Sequence, residues 1–341
     1  MKINFVISGF GHIGRRHATI ANGHPETKVV AIIDINEDVV NHELYPKGTP
    51  HFKSLEDFIK ADVKADVLTV ATPNGLHSSQ AIQAIEAGMH VVIEKPMGLS
   101  RSETEKVIFK GLHHGKHVFV VKQNRYSPPS QWLKEVVDNG NLGRIFMVQI
   151  NCYWNRDDRY YKPLNLPKVW KGSNALDGGT LYTQFSHFID IMYWVFGDIK
   201  NIQTKVTDFN HDKLTEFEDS GSSHFEFENG GLGILNFSTS VWDTNMESSI
   251  TVIAENGSLK VGGQYMNEIE YCHIKDYEMP KLKPTNPPND YGPFKGSAAN
   301  HHYVIENVVN VLNGNATITA NALEGMKVVD IIERIYDAAK E

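Results

Sequence analysis

Six residues near the start of the chain, Gly9-Phe10-Gly11-His12-Ile13-Gly14, have the types and spacing of a turn that cradles a diphosphate. In G-x-G-x-x-G the first glycine permits the tight turn, the second lets the backbone approach the phosphates, and the third lets a helix pack closely on a strand. Phosphate charge then meets the free N–H groups at the helix N-terminus. Three such glycines also arise by chance, so the flanks decide. The run Ile3, Phe5, Val6, Ile7 before the turn reads as a buried strand, and a second β-branched run ends in Asp34, twenty residues after Gly14. An acid there suits a ribose with free 2′- and 3′-hydroxyls and repels a 2′-phosphate. Glu37 and Asp38 follow with no basic residue between, which points to NAD rather than NADP. Ile35, next to Asp34, joins the turn as a cofactor-lining candidate.

A second group of chemical residues lies far downstream. Residues 154–172 carry Arg156, Arg159, Lys162, Lys168 and Lys171 against Asp157 and Asp158, interleaved with Trp154, Tyr160, Tyr161 and Trp170. Arginine forks match carboxylates and phosphates with two bonds at a time, and aromatic faces stack on rings. An anionic, ring-bearing small molecule is the ligand such a segment suits, although a charge run is also what a solvated face looks like.

Composition bounds what remains. With 341 residues the chain is long enough for two domains with full cores, and 41% hydrophobic with 22% charged residues is ordinary for a soluble globular protein. A net charge of −8 argues against general affinity for nucleic acid or anionic membrane. Two cysteines, Cys152 and Cys272, suggest neither a metal site nor a disulfide framework, so a cytoplasmic setting is expected. No leader or membrane-spanning run is read from the sequence. His113-His114 and His301-His302 lack a third ligand at suitable spacing, so no metal is expected.

Up to residue 123 strand and helix patterns alternate: strands at 66–72, 90–94 and 117–121, and helices at 54–59, 76–87 and 100–112. That is the pattern of βαβ units in a parallel, doubly wound sheet, with ligands at the carboxyl ends of the strands. The expected fold is therefore α/β: a Rossmann dinucleotide-binding domain over residues 1–123, then an α+β substrate-binding and oligomerisation domain over 124–341. In the second domain, helices at 129–138 and 179–196 accompany strands at 144–153, 202–208, 222–228, 232–238, 249–254, 258–261 and 268–274, which follow one another as in a large, mostly antiparallel sheet. Helices at 179–196 and 301–312 are expected to cover one face of that sheet. A neighbouring subunit would cover the other, giving a homodimer or homotetramer. Residues 280–293 read as a long loop, and the helix at 320–339 as packing.

Ala71-Thr72-Pro73-Asn74 with His77, Glu94-Lys95-Pro96, and Gly178-Gly179 followed by His187 and Asp190 together resemble the Gfo/Idh/MocA oxidoreductases over nearly the whole length. The resemblance implies that Thr72, Pro73, Asn74, His77, Glu94, Lys95 and Gln123 border the cofactor, that Lys95 also touches the substrate hydroxyl, and that His187 is an acid/base. Lys122-Gln123-Asn124-Arg125-Tyr126, Asn155-Arg156 with Arg159-Tyr160-Tyr161, Trp170-Lys171-Gly172 and Asn300-His301 resemble one branch of that family, the UDP-N-acetylglucosaminuronate 3-dehydrogenases of surface-polysaccharide synthesis. On that likeness Lys95, Arg125, Tyr126, Arg156, Arg159, Tyr160, Trp170, Thr183, Gln184, His187 and His301 are substrate-binding candidates. Most members of the family have an aspartate four residues before the helix histidine, where this chain has Thr183 followed by Gln184. The nucleotide-sugar branch itself resembles Asn-Gln here, so the loss of the carboxylate supports that branch and leaves Thr183 unexplained.

Oxidising a sugar hydroxyl with NAD requires a base for the proton and a positive group beside the developing alkoxide. His187 fits the first role and Lys95 the second, and a lysine with a depressed pKa could exchange the roles. Asp190 orients a neighbour or caps structure as readily as it reacts. Three other activities fit the same scaffold: a free sugar or cyclitol dehydrogenase, an NAD-dependent glycosidase, and a non-catalytic NAD-binding regulator. Having both Lys95 and His187 argues against the last.

Overall fold

The computed structural model describes residues 2–162 and 170–340; Lys168 of the basic segment lies outside them. In chain order the elements begin β1 (Ile3–Ser8), α1 (His12–Gly23), β2 (Thr27–Ile33), β3 (His51–Phe52), α2 (Leu55–Lys60), β4 (Val67–Val70), α3 (His77–Glu86), β5 (His90–Ile93), α4 (Arg101–His113) and β6 (Val118–Val120). There follow α5 (Pro128–Asp138), β7 (Ile145–Tyr153), the short α6 (Asp158–Tyr161), α7 (Ser186–Phe196), β8 (Ile199–Thr207), β9 (Ser220–Phe227), β10 (Leu232–Ser238), β11 (Glu247–Ala254), β12 (Gly257–Gly262), β13 (Glu268–Ile274), β14 (Pro288–Asp290) and β15 (Lys295–Ala298). Two helices close the chain, α8 (His301–Leu312) and α9 (Ala322–Ala338).

The first compact unit comprises Met1–Val121 with His301–Val329. Its sheet is parallel in the order β3-β2-β1-β4-β5-β6, so the direction of winding reverses between β1 and β4. Ligands of such sheets bind outside the carboxyl ends of the strands at that reversal. β1 is buried from Phe5 to Ser8 and β4 throughout, as expected of strands covered on both faces. α1 turns Gly14, His17, Ala18 and Ala21 inward at helical spacing, and Ser54 and Ser100 cap α2 and α4 by accepting the N–H groups of Asp57 and Glu103.

α8 belongs to this first unit, where it packs on α1. The 301–312 helix therefore does not cover the second sheet, as the sequence led us to expect. The strand-end pairing explains the return of the chain: the Val120 N–H donates to the Ala320 carbonyl, and Phe119 bridges to Asn321. The single division expected at 123 differs from this arrangement, since 301–329 joins the dinucleotide-binding unit.

The second unit comprises Lys122–Asn300 with Asp330–Glu341. Its seven-stranded sheet runs β13-β12-β11-β7-β10-β9-β8, antiparallel except where β10 lies parallel to β7. One face is core: Val148, Ile150, Cys152, Phe225, Phe227, Leu235, Phe237, Ile250, Val252, Leu259 and Val261 are buried. α7, apolar almost all round, and α5, which packs on it, belong to this unit. The other face carries a cross-strand row of Leu232, Met147 and Ile253, with Leu232 53% and Ile253 45% exposed. Among the described residues no helix is long and apolar enough to cross a membrane.

Candidate active site

The glycine turn follows β1 directly. Gly9 has φ +87°, and a Cβ there would meet the Ala71 carbonyl oxygen at 2.5 Å. A Cβ on Gly14 would strike the Gly9 carbonyl oxygen at 1.7 Å, whereas one on Gly11 would meet nothing within 4 Å. The first and third glycines are thus fixed by packing, and the second leaves open space over the helix N-terminus, as a pyrophosphate requires. His12 and Ile13 form the first turn of α1. Phe10 is buried, with Tyr45 edge-on at 5.4 Å, and its N–H donates to Asp34 Oδ2 at 2.6 Å. The same carboxylate accepts from the Asn36 N–H, and Ile35 beside it is 91% exposed. These residues fit NAD.

Thr72, Pro73 and Asn74 follow β4 at its carboxyl end. His77 is buried behind them, its Nε2 2.8 Å from the Thr72 carbonyl and its Nδ1 2.6 Å from the Pro96 carbonyl. It ties the loops after β4 and β5 together; burial favours the neutral ring, which donates to one carbonyl at a time, and the two carbonyls oppose that depression. Glu94, Lys95 and Pro96 follow β5. Glu94 is buried: its Oε1 lies 2.8 Å from His17 Nε2 and 3.5 Å from His301 Nε2, while its Oε2 accepts the Lys95 N–H at 3.1 Å. Burial pushes this carboxyl up, but hydrogen bonding and charge from the two histidines outweigh it and hold Glu94 well below the usual range. Burial pushes His301 down.

His17 was not among the residues singled out from the sequence, although its place on the inward face of α1 was readable from helical spacing. With Glu94 and His301 it forms a buried set whose ligand atoms all lie within 4.8 Å of one another. The two groups that join His301 come from two other parts of the same unit, and His302 is not among them. The 2.8 Å contact of His17 with Glu94 is an ordinary hydrogen-bond length.

In the second unit His187 stands on α7, buried, and Gln123 presents its amide Nε2 3.1 Å from His187 Nε2. An amide N–H donating there fixes the orientation of the ring and one of its two tautomers. One turn on, Asp190 takes both arms of Arg125, Nε to Oδ2 at 2.9 Å and Nη2 to Oδ1 at 2.8 Å, with Lys122 Nζ at 3.5 Å. All three are buried. Burial raises the Asp190 carboxyl, and the two cations outweigh it and lower its pKa. The fork of Arg125, a substrate candidate from the sequence, is thus engaged by Asp190, with Trp194 5.3 Å from its guanidinium. Tyr126 ends the turn Gln123–Tyr126 half-buried.

α7 is preceded by a π-helical turn, Leu181–Phe185, that holds Thr183 and Gln184. Such turns recur at functional sites. The Thr183 hydroxyl donates to the carbonyl and the carboxylate of Asp177. Gln184 accepts from Arg156 Nε at 2.8 Å and donates to the Tyr160 hydroxyl at 2.9 Å. Arg156 is buried, whereas Arg159 is exposed and paired with Asp157 and Asp243. Arg159 also lines an open pocket of about 220 Å³ with His211 and Trp242. Trp170 is half-buried, as is Lys171, whose ammonium sits 3.8 Å from the Tyr160 ring centre.

Comparison with known proteins fits this geometry. Residues 3–122 match the family model "Oxidoreductase family, NAD-binding Rossmann fold", and residues 130–260 match the "GFO/IDH/MocA C-terminal domain". The WlbA dehydrogenase of Bordetella pertussis, solved with NADH and UDP-GlcNAcA, is similar at 29% identity and TM-score 0.87, over 100% of this chain and 97% of that one. The WlbA dehydrogenase of Chromobacterium violaceum, solved with the same two ligands, is similar at 29% identity and TM-score 0.88, over 99% and 94%. An inositol 2-dehydrogenase/D-chiro-inositol 3-dehydrogenase of Halalkalibacterium halodurans is 28% identical over 58% of this chain and 54% of that protein. The chain belongs to the GFO/IDH/MocA family of oxidoreductases, with an NAD-binding Rossmann domain at its N-terminus.

Proposed function

We propose that this oxidoreductase uses NAD to oxidise a ring hydroxyl of a sugar, and that the sugar is a UDP-linked N-acetylhexosaminuronate oxidised at C3. The observation that carries this is the likeness, over nearly the whole chain at 29% identity, to two dehydrogenases solved with NADH and UDP-GlcNAcA. It is supported by a buried histidine oriented by an amide and by a buried arginine and a half-buried lysine in the same unit.

NAD, when bound, supplies the hydride acceptor; the protein supplies orientation and charge. In this reading His187 takes the hydroxyl proton, with the Gln123 amide 3.1 Å from Nε2 orienting the ring. Lys95 stabilises the oxygen as it becomes an alkoxide, its backbone held by the Glu94 carboxylate. His187→Asn should lower kcat by about 10²–10⁴-fold, the usual span for a positioned acid/base. Lys95→Met should lower kcat without abolishing NAD binding.

A panel of UDP-sugar acids, UDP-N-acetylhexosamines, free sugars and inositols, followed by NADH absorbance, tests the reading. Reduction with the UDP-sugar acids is expected. Turnover of inositols or free sugars with none of the UDP-sugars would replace it by the cyclitol dehydrogenase reading, which the inositol dehydrogenase likeness favours.

A further inference from the structure

Two cations in the second unit stand close together without a carboxylate in ion-pair range among the described residues. Arg156 is buried, and its guanidinium donates to neutral acceptors: Gln184 Oε1, the carbonyls of Asn155 and Lys295, and Asn245 Oδ1. Lys171 rests its ammonium on the Tyr160 ring at 3.8 Å, and the Arg156 guanidinium lies 5.3 Å from the same ring. Asp177 is the acid that acts on Lys171, and its carboxylate accepts from the Gly172 N–H and the Thr183 hydroxyl. Asp157, next to Arg156 in sequence, is paired with Arg159. Buried positive charge left unneutralised is unfavourable, and an anionic ligand removes the penalty.

We infer that Lys171, seated on Tyr160 and backed by Arg156, receives the carboxylate of the sugar acid and so selects acids over neutral sugars. The inference rests on the proposed substrate class. Arg156 is the charge beneath; Lys171, half-buried, is the group a ligand reaches. Its ammonium is pushed down to about 8, chiefly by burial and further by Arg156, against the pull of Asp177. Tyr160 stays protonated throughout, pushed up to about 12 by burial and Asp177 against Arg156. Above about pH 8 the free protein therefore loses the charge that holds the acid.

The test compares affinities of the NAD-loaded protein for a UDP-N-acetylhexosaminuronate and the matching UDP-N-acetylhexosamine by titration calorimetry, independently of turnover. The acid should bind about 10–100-fold more tightly at pH 7, as a charge-assisted bond provides. Its affinity should fall above about pH 8 while that of the neutral sugar stays level. Lys171→Met should remove most of the preference and leave the neutral sugar within about threefold, and Lys171→Arg should restore it. Equal loss of both ligands in Lys171→Met with Lys171→Arg failing to rescue, or an acid preference untouched by Lys171→Met, would overturn the assignment. Selective acid binding without NADH formation would uphold this seat while removing the dehydrogenase reading. Oxidation of both sugars with equal affinity would do the reverse.

Discussion

Replacing Asp190 by asparagine should unfold the second unit long before it perturbs the first. The side chain is 1% exposed and faces two cations, Arg125 through paired bonds of 2.9 and 2.8 Å and Lys122 at 3.5 Å, both 2% exposed. Removing one member of a buried ion pair costs about 3–5 kcal/mol, because the partner is left as an uncompensated charge. For a unit of this size that is about 6–20 °C in Tm. All five tryptophans, 132, 154, 170, 194 and 242, lie in the second unit, so tryptophan emission during heating or urea unfolding reads that unit alone. Arg125→Met added to Asp190→Asn removes one of the two stranded cations and should recover part of the loss. The acid limb supplies a second check. Because the folded pKa of Asp190 is lowered, its contribution is present above the ordinary carboxylate pKa and lost as pH falls through the folded one. The wild type should therefore lose stability more steeply than Asp190→Asn on acidification below about pH 4. A loss under about 1 kcal/mol at neutral pH, the value of a surface pair, would refute the buried counter-ion reasoning.

Other outcomes follow from single contacts. Asp34→Ser with Ile35→Arg removes the carboxylate that accepts from Phe10 and adds a cation at a 91% exposed position. The KM for NAD should rise about 10–100-fold and NADP should become the better cofactor; an unchanged preference in steady-state kinetics would remove Asp34 from the ribose site. The row Leu232, Met147 and Ile253 on the open sheet face is where a second copy should pack. Leu232→Lys with Ile253→Lys should therefore lower the mass measured by light scattering, and a wild type that is already monomeric would refute the expected oligomer. Burial pushes the Glu218 carboxyl up to about 7, against bonds from Tyr336 and Thr180. A raised acid holds its proton longer in the folded state, so stability should decline as pH rises from about 4.5 to 7. Thermal melts of Glu218→Gln across that range should show a shallower decline, and parallel profiles would exclude the group.

How much of this was readable in advance depends on whether a residue's partner lies nearby in sequence. The parallel, doubly wound sheet and its NAD-binding character rest on local chemistry and on strand and helix periods, and these were legible. His301 is different: at the first position of its own helix nothing marks its partners, because Glu94 and His17 come from the end of β5 and from α1. Arg125 was a substrate candidate by resemblance alone, and its ion-pair partner Asp190 is 65 residues away. Thr183 shows most clearly what a position-by-position likeness cannot deliver. The Thr183 hydroxyl reaches the carboxylate of Asp177, six residues upstream in a non-helical loop. The π-turn changes the helical register over these residues, so counting four back from His187 on an α-helix does not describe where Thr183 points. The Asp177 carboxylate also accepts the Gly172 N–H. Lys171 beside it is held by the Tyr160 ring, with no carboxylate within ion-pair range among the described residues, which leaves its ammonium available to an acidic ligand.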